Sequence, residues 1–168
     1  MIVKQEILEK AKTCIANLIE KNFRIVIAES CTGGLMSFLF SSIPGASRVL
    51  DYSFIVYSSE SKVKLLGVDE NVINRYGAVS SEVSTLMAVG ALKNSKANVS
   101  ISITGFAGPG LNAEQVGLVY IGCAFSNAES EYKKCYFRNM SRYEIQISSV
   151  NAAMDFLLYK VLSRNISF

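Results

Sequence analysis

Short apolar runs alternate with amphipathic stretches along the sequence, and this alternation constrains the fold more than any other feature. Strands interleaved with helices predict an α/β fold in which helices cover both faces of one sheet. The polar stretch 127–131 predicts that the last two strands form an antiparallel pair in an otherwise parallel sheet. The runs with the length and composition of strands are residues 24–28, 52–58, 98–104, 116–125 and 132–137.

The segments between these runs have helical signals. Ser80 is a good N-cap for a helix through Val83, Met87 and Ala91, and Gly77 is a good stop for the helix before it. Since neither a linker nor an internal repeat interrupts this order, we expect one domain over residues 1–168. The other predicted helices cover residues 4–21, 35 to about 43, 59–66, 69–76 and a long closing segment around 145–157.

The composition argues against several classes of protein. Half of the 168 residues are apolar and 18% are charged, so the chain has enough apolar surface for a well-buried core. The net charge of +3 does not favour a nucleic-acid partner. The longest apolar stretches, 35–40 and 116–125, are too short to span a membrane, and the N-terminus lacks the apolar region of a signal peptide. We therefore expect a cytoplasmic protein without a membrane partner.

The sequence contains no histidine, which limits its chemistry. Ser-His-Asp and Cys-His catalysis and histidine-ligated metal sites are excluded for this chain alone. The four cysteines lie far apart without a CxxC pair, so we interpret them as reduced core thiols and expect no metal. A catalytic base must then be Lys, Tyr, Asp or Glu.

Two glycine-containing loops follow predicted strands, at residues 29–34 and 104–110. Ligands of open α/β sheets bind beyond the carboxyl ends of the strands, where glycine lets backbone N–H groups approach a phosphate. The alternative is that the glycines only turn the chain. Neither loop fits GxGxxG or GxxxxGK[ST]. The hypothesis of a dinucleotide-dependent oxidoreductase therefore lacks its main sequence evidence.

A second group of candidate residues contains Ser47, Tyr57 and Lys62. Without histidine, a serine nucleophile can lose its proton to a desolvated lysine, with a tyrosine as relay. The alternative is a solvated lysine and a serine that caps a turn. Glu29 and Glu60 could form a carboxylate pair, or else a turn-side hydrogen-bond acceptor and an ordinary helix charge.

Six sequence blocks resemble the C-terminal domain family of the competence/damage-inducible protein CinA, which includes the nicotinamide-mononucleotide deamidases. They occur in the family's order over nearly the whole chain. The blocks are 28–34 (AESCTGG), 44–47 (PGAS), 57–62 (YSSESK), 66–68 (LGV), 76–80 (YGAVS) and 104–109 (TGFAGP) followed by Val116-Gly117.

The resemblance implies a three-layer α/β/α sandwich with a mixed, mostly parallel sheet of about five strands. It implies an amidohydrolase without metal or cofactor that converts nicotinamide mononucleotide to nicotinate mononucleotide and ammonia. Ser47 would be the nucleophile, activated by Lys62 and Tyr57, and a homodimer is expected. The substrate-binding residues implied by the resemblance are Ser30, Thr32, Gly33, Gly34, Thr104, Gly105, Gly108 and, for the phosphate, Arg142.

The chain departs from the family pattern in three regions. The loop after Pro109, residues 110–115, is shorter than usual. Before the last helix, the family's Phe-x-Gly-Asp-Arg becomes residues 137–142 (FRNMSR), and Gln146 occupies a position where arginine is common. Ser59 replaces the usual asparagine after Tyr-Ser. These changes leave open a second hypothesis, a catalytically degenerate domain of the same fold that binds a nucleotide or a protein.

Overall fold

The computed structural model describes residues 4–108 and 113–164. Within them, six α-helices and two short 3₁₀ turns surround one sheet of five strands. In chain order the elements are α1 (Gln5–Glu20), β1 (Ile25–Glu29), α2 (Leu35–Ser41), a 3₁₀ turn (Ala46–Arg48), β2 (Leu50–Ile55), α3 (Ser59–Leu66), α4 (Glu70–Tyr76), α5 (Ser81–Lys93), β3 (Val99–Gly105), a 3₁₀ turn (Ala113–Gln115), β4 (Leu118–Phe125), β5 (Glu131–Tyr136) and α6 (Arg142–Leu162).

The strands form a mixed sheet in the order β2-β1-β3-β4-β5. β1 pairs in parallel with β2 and β3, whereas β4 is antiparallel to both β3 and β5. Only β4 therefore runs against the other strands, as expected for a hairpin added to a parallel sheet. Because β1, β2 and β3 are parallel, their carboxyl ends meet at one edge of the sheet, and this edge carries the candidate site.

Helices cover both faces of the sheet, which confirms the expected three layers. Alternate residues of β1 face opposite layers: Ile25 and Ile27 belong to the core under α1, α2 and α6, whereas Val26 and Ala28 belong to the core under α3, α4 and α5. β1 is fully buried, which is typical of a central strand with helices on both sides.

α5 packs very closely against the sheet through small residues. The Ser102 hydroxyl donates to the Ser84 carbonyl at 2.6 Å. A Cβ atom at Gly122 would overlap that same carbonyl, so glycine is required there for the helix to approach. This close contact fixes β3 and β4 relative to the layer that carries α3 and its lysine.

Two strands differ from their predicted bounds by two or more residues. β2 covers Leu50–Ile55 rather than 52–58, because Val56 and the two residues after it lead into α3, where the Ser58 side chain accepts a hydrogen bond from the Ser61 N–H. β4 begins at Leu118 rather than 116, because Gly117 turns the chain with a φ of +91°. Residues 110–112 of the shortened loop predicted after Pro109 lie outside the described residues. None of the described helices is both long and apolar enough to cross a lipid bilayer.

Candidate active site

A buried lysine lies at the centre of the candidate site. Lys62 is on the inner side of α3 and is only 1% exposed. Its Nζ donates hydrogen bonds to Ser30 Oγ at 3.0 Å, to the Val56 carbonyl at 2.8 Å and to the Tyr57 carbonyl at 3.3 Å. The lysine therefore joins the turn after β1 to the segment after β2.

These contacts can orient the lysine as a base. The two carbonyl oxygens can only accept hydrogen bonds, so they hold two N–H bonds of a neutral amine. The lone pair of that amine then faces the remaining neighbour, the Ser30 hydroxyl. Burial lowers the pKa of Lys62 from 10.5 to about 8, partly opposed by the nearby Cys31 thiol, which brings its deprotonation close to neutral pH.

The turn that carries Ser30 is held by the buried carboxylate of Glu29. This carboxylate accepts hydrogen bonds from the N–H groups of Gly34, Met36 and Ser37 and from the Ser37 hydroxyl. Gly34, the N-cap residue of α2, has no side chain to cap the helix, and Glu29 does so from the preceding strand. Glu29 is thus a turn-side hydrogen-bond acceptor, and it is completely buried.

The same turn offers donors for a developing negative charge. The N–H groups of Cys31 and Thr32 have no acceptor among the residues that the structure describes. They follow Ser30 directly and lie outside the hydrogen bonds of α2. Backbone N–H groups next to a nucleophile are the usual donors of an oxyanion hole.

Within this chain, the structure places Ser47 away from Lys62. Ser47 is exposed in the 3₁₀ turn before β2, at the amino edge of the sheet. Lys62 contacts the segment that follows β2, at the carboxyl edge. Six strand residues of about 3.3 Å each separate the two edges, roughly 20 Å in all. Ser30, rather than Ser47, lies beside Lys62 within this chain.

Tyr57 contacts Lys62 through its backbone and Arg142 through its side chain. Its backbone carbonyl accepts from Lys62, whereas its ring is exposed and its hydroxyl accepts from Arg142 Nη2 at 2.9 Å. Arg142 Nη1 donates to the Gly108 carbonyl at 2.9 Å. The structure therefore brings Tyr57, Arg142 and Gly108 together at the rim of the site.

Thr104 and Gly105 lie at the end of β3. The buried Thr104 hydroxyl donates to the Ala78 carbonyl at 2.8 Å, which leaves its oxygen able to accept from a ligand. A Cβ atom at Gly105 would press on Leu118 and Val119, so the close packing of β3 against β4 requires glycine at this position. Their proposed contacts with a substrate stay predictions.

Two clefts lie at the site: residues of the Ser30 turn line the smaller one, and Gly108 and Arg142 of the rim line the larger one. The larger, of about 830 Å³, contains two guanidinium groups. The smaller, of about 250 Å³, lies between α2 and α6. The larger is lined by Ala107, Gly108, Glu114, Val116, Tyr136, Arg138, Asn139, Met140, Ser141 and Arg142. The smaller is lined by Thr32, Gly33, Gly34, Leu35, Phe38 and Gln146.

Gln146 is a residue whose role the sequence did not reveal. Its Nε2 donates to the Cys31 carbonyl at 2.8 Å and so ties α6 to the Ser30 turn. Arg142 and Gln146 lie one helical turn apart on α6, which places both on the side that faces the site. The spacing of four residues between Arg142 and Gln146 is the sequence signal from which the position of Gln146 at the site could have been predicted. In residues 4–108 and 113–164, no three His, Cys, Asp or Glu side chains are grouped as metal ligands would be.

Comparisons with known proteins agree with this architecture. The CinA C-terminal domain model matches residues 7–161. A relative from Caldicellulosiruptor bescii, named as competence-damage inducible, is 44% identical over 163 residues, which are 95% of this chain and 38% of the relative. A CinA-like protein from Prochlorococcus marinus subsp. pastoris is 45% identical over 144 residues, 84% of this chain and 33% of its own length.

Solved structures of proteins named as competence/damage inducible or CinA have the same fold as this chain. The competence/damage inducible protein CihA from Agrobacterium tumefaciens superposes with a TM-score of 0.90 at 34% identity, covering 95% of this chain and 98% of that one. A CinA superfamily protein from Escherichia coli gives 0.86 at 26% identity, covering 94% and 93%. The present chain spans little more than a third of the curated relatives it matches. By sequence and by fold, it belongs to the CinA C-terminal domain family.

Proposed function

We propose that this chain is an amidohydrolase that converts nicotinamide mononucleotide to nicotinate mononucleotide and ammonia, with Ser30 as nucleophile and Lys62 as base. The observation that carries the proposal is the 3.0 Å contact between Lys62 Nζ and Ser30 Oγ in a buried setting. A buried lysine with a lowered pKa beside a serine is the arrangement that activates serine without histidine. The family resemblance supplies the substrate.

In the first half of the reaction, Ser30 Oγ attacks the carboxamide carbon and its proton passes to Lys62 Nζ. The N–H groups of Cys31 and Thr32 stabilise the oxyanion of the tetrahedral intermediate. As this intermediate collapses, the Lys62 ammonium gives its proton to the leaving nitrogen. Ammonia departs, and the nicotinoyl group stays on Ser30 as an ester.

In the second half, the neutral Lys62 takes a proton from water, which attacks the ester. The tetrahedral intermediate collapses, the proton returns to Ser30 Oγ, and nicotinate mononucleotide is released. Arg142 is suited to bind the phosphate, because its guanidinium faces the larger cleft and is held by the Tyr57 hydroxyl and the Gly108 carbonyl. In this scheme Tyr57 positions Arg142 and, through its backbone, Lys62.

The proposal is tested by ammonia release from nicotinamide mononucleotide in the presence of a chelator. The wild-type chain should release ammonia, Ser30→Ala should not, and the matched variant Ser47→Ala should retain turnover. Free nicotinamide should react much more slowly, since the phosphate helps to position the amide.

The competing hypothesis is a degenerate domain that binds a nucleotide without turnover. The feature that favours it is Gln146, which occupies a position where the family commonly has arginine and is bonded to the Cys31 carbonyl. Calorimetric binding of the mononucleotide, with no ammonia above the Ser30→Ala background, would support this hypothesis and reject the enzyme.

A further inference from the structure

The two edges of the sheet differ in charge. β5, at one edge, has three charged side chains among its six residues (EYKKCY). Natural proteins commonly place charges on an edge strand, because its unpaired N–H and C=O groups would otherwise pair with another chain. β2, at the other edge, has only Asp51, and this carboxylate is bound by the Arg24 guanidinium and the Lys96 N–H. The β2 edge therefore lacks the protection that β5 has.

The β2 edge is also apolar and open. Tyr52 stacks on Phe54, with ring centroids 5.9 Å apart, on the face of the sheet that α3, α4 and α5 cover. Ile55 lies on the other face, next to Gly34 at the start of α2. Tyr52 is 55% exposed and Ile55 is 54% exposed. Among the described strands β2 pairs only with β1, so apolar side chains flank an unpaired backbone edge on both faces.

Charges of opposite sign lie beyond the two ends of this edge. Arg48 is exposed in the 3₁₀ turn before β2, and Glu60 is exposed in the first turn of α3, after β2. Neither forms an ion pair within residues 4–108 and 113–164. A strand with a cation before its start and an anion after its end is complementary to an antiparallel copy of itself.

We propose that the outer edge of β2 is the interface of a symmetric dimer of this chain, in which the two β2 strands lie side by side and antiparallel. With Ser53 on the two-fold axis, Tyr52 lies opposite the partner's Phe54, and aromatic cross-strand pairs of this kind stabilise sheets. Each Arg48 then lies near the partner's Glu60. The turn that contains Ser47 borders the candidate active site of the other copy.

A second copy fits this edge better than an unrelated chain does. Any added strand would satisfy the outer backbone groups of β2. Only an antiparallel copy of β2 also supplies an aromatic partner for Tyr52 and a charge of the right sign at both ends. The arrangement further gives the exposed Ser47 turn, which lies far from Lys62 within one chain, a place beside the site of the assembled protein.

Sedimentation equilibrium of the full chain tests this interface. The wild type should be a dimer at micromolar concentrations. Tyr52→Lys places two lysines on diagonal positions across the axis, so the dissociation constant should rise about tenfold or more. The matched control is Tyr159→Lys on α6, where the ring is 65% exposed, and this variant should leave the constant unchanged. Circular dichroism should show the same folded state in all variants.

Exchange of the end charges tests the antiparallel arrangement. Arg48→Glu and Glu60→Arg should each weaken the dimer about tenfold, because each variant brings like charges together at both ends. The double variant restores opposite charges and should return the constant to within about twofold of wild type.

Three results would overturn the inference: a wild type that stays monomeric, a dimer as indifferent to Tyr52→Lys as to Tyr159→Lys, or a double variant weaker than both single ones. Sedimentation needs no substrate, so its result does not depend on the proposed reaction.

Discussion

Burial of Lys62 should make the stability of the protein depend on pH in a defined window. The pKa of Lys62 is lowered from 10.5 to about 8 by burial. Below about pH 8 both the folded and the unfolded chain hold the proton, and the folded chain carries the cost of a buried charge. Between pH 8 and 10.5 only the unfolded chain holds it, so the free energy of unfolding rises with pH.

The size of this effect follows from the two pKa values. A lowering from 10.5 to about 8 corresponds to about 3 kcal/mol. Most of it should appear between pH 7 and pH 10. Lys62→Met removes the titrating group and keeps a side chain of similar length, so the wild type should gain this amount relative to the variant as the pH rises.

Urea unfolding of the wild type and Lys62→Met at pH 7 and pH 10 measures the difference directly. Taking the difference between the two proteins removes the contribution of groups that do not interact with Lys62, including the buried Cys14 and Cys123 thiols, whose pKa values are raised by burial. A difference that does not change with pH, or that falls as the pH rises, would refute the reasoning.

The protonation of Lys62 should also control the rate of ammonia release. With a pKa of about 8, about a tenth of Lys62 is neutral at pH 7 and half at pH 8. The kcat/KM for ammonia release should therefore rise about tenfold from pH 7 to a plateau above pH 9, and Lys62→Arg should be inactive at every pH. A flat profile from pH 6.5 to 9 would show that Lys62 is not the base.

Four substitutions test the structural argument. Ser47→Ala should keep near-normal turnover while Ser30→Ala loses several orders of magnitude, and the reverse result in an ammonia assay would restore Ser47 as nucleophile. Glu29→Gln should lower the free energy of unfolding in urea by about 2–4 kcal/mol, because its amide faces backbone donors, and a loss below about 0.5 kcal/mol would contradict this role. Gly122→Ala should lower Tm clearly, since its Cβ overlaps the Ser84 carbonyl, and an unchanged Tm would mean that α5 can move away.

Much of the fold is readable from local patterns. The α3 boundaries, Ser59–Leu66, match the prediction, and Ser80 caps α5 with its side chain accepting from the Val83 N–H as expected. The antiparallel pairing of β4 and β5 also follows from the short polar connection between them. These features depend on neighbours in sequence, so periodicity, caps and turns are enough to predict them.

Motif blocks alone also indicated the family, because six of them occur in order. They did not indicate which serine lies beside Lys62. Ser30 and Ser47 both precede Lys62 within matched blocks, and spacing does not distinguish them. The parallel pairing of Glu29 with Ile55 does, because it brings Ser30 to the end of β2 where Lys62 is held and leaves Ser47 at the other end.

The sequence by itself determined the helices, the strands, the absence of histidine and the family. Only the tertiary structure decided the site: the pairing of Lys62 with Ser30 and the Arg142 contact with Tyr57. Lys62 and Ser30 are 32 residues apart, and Arg142 and Tyr57 are 85 apart. Contacts over such separations depend on strand direction and layer packing, which a local pattern does not encode.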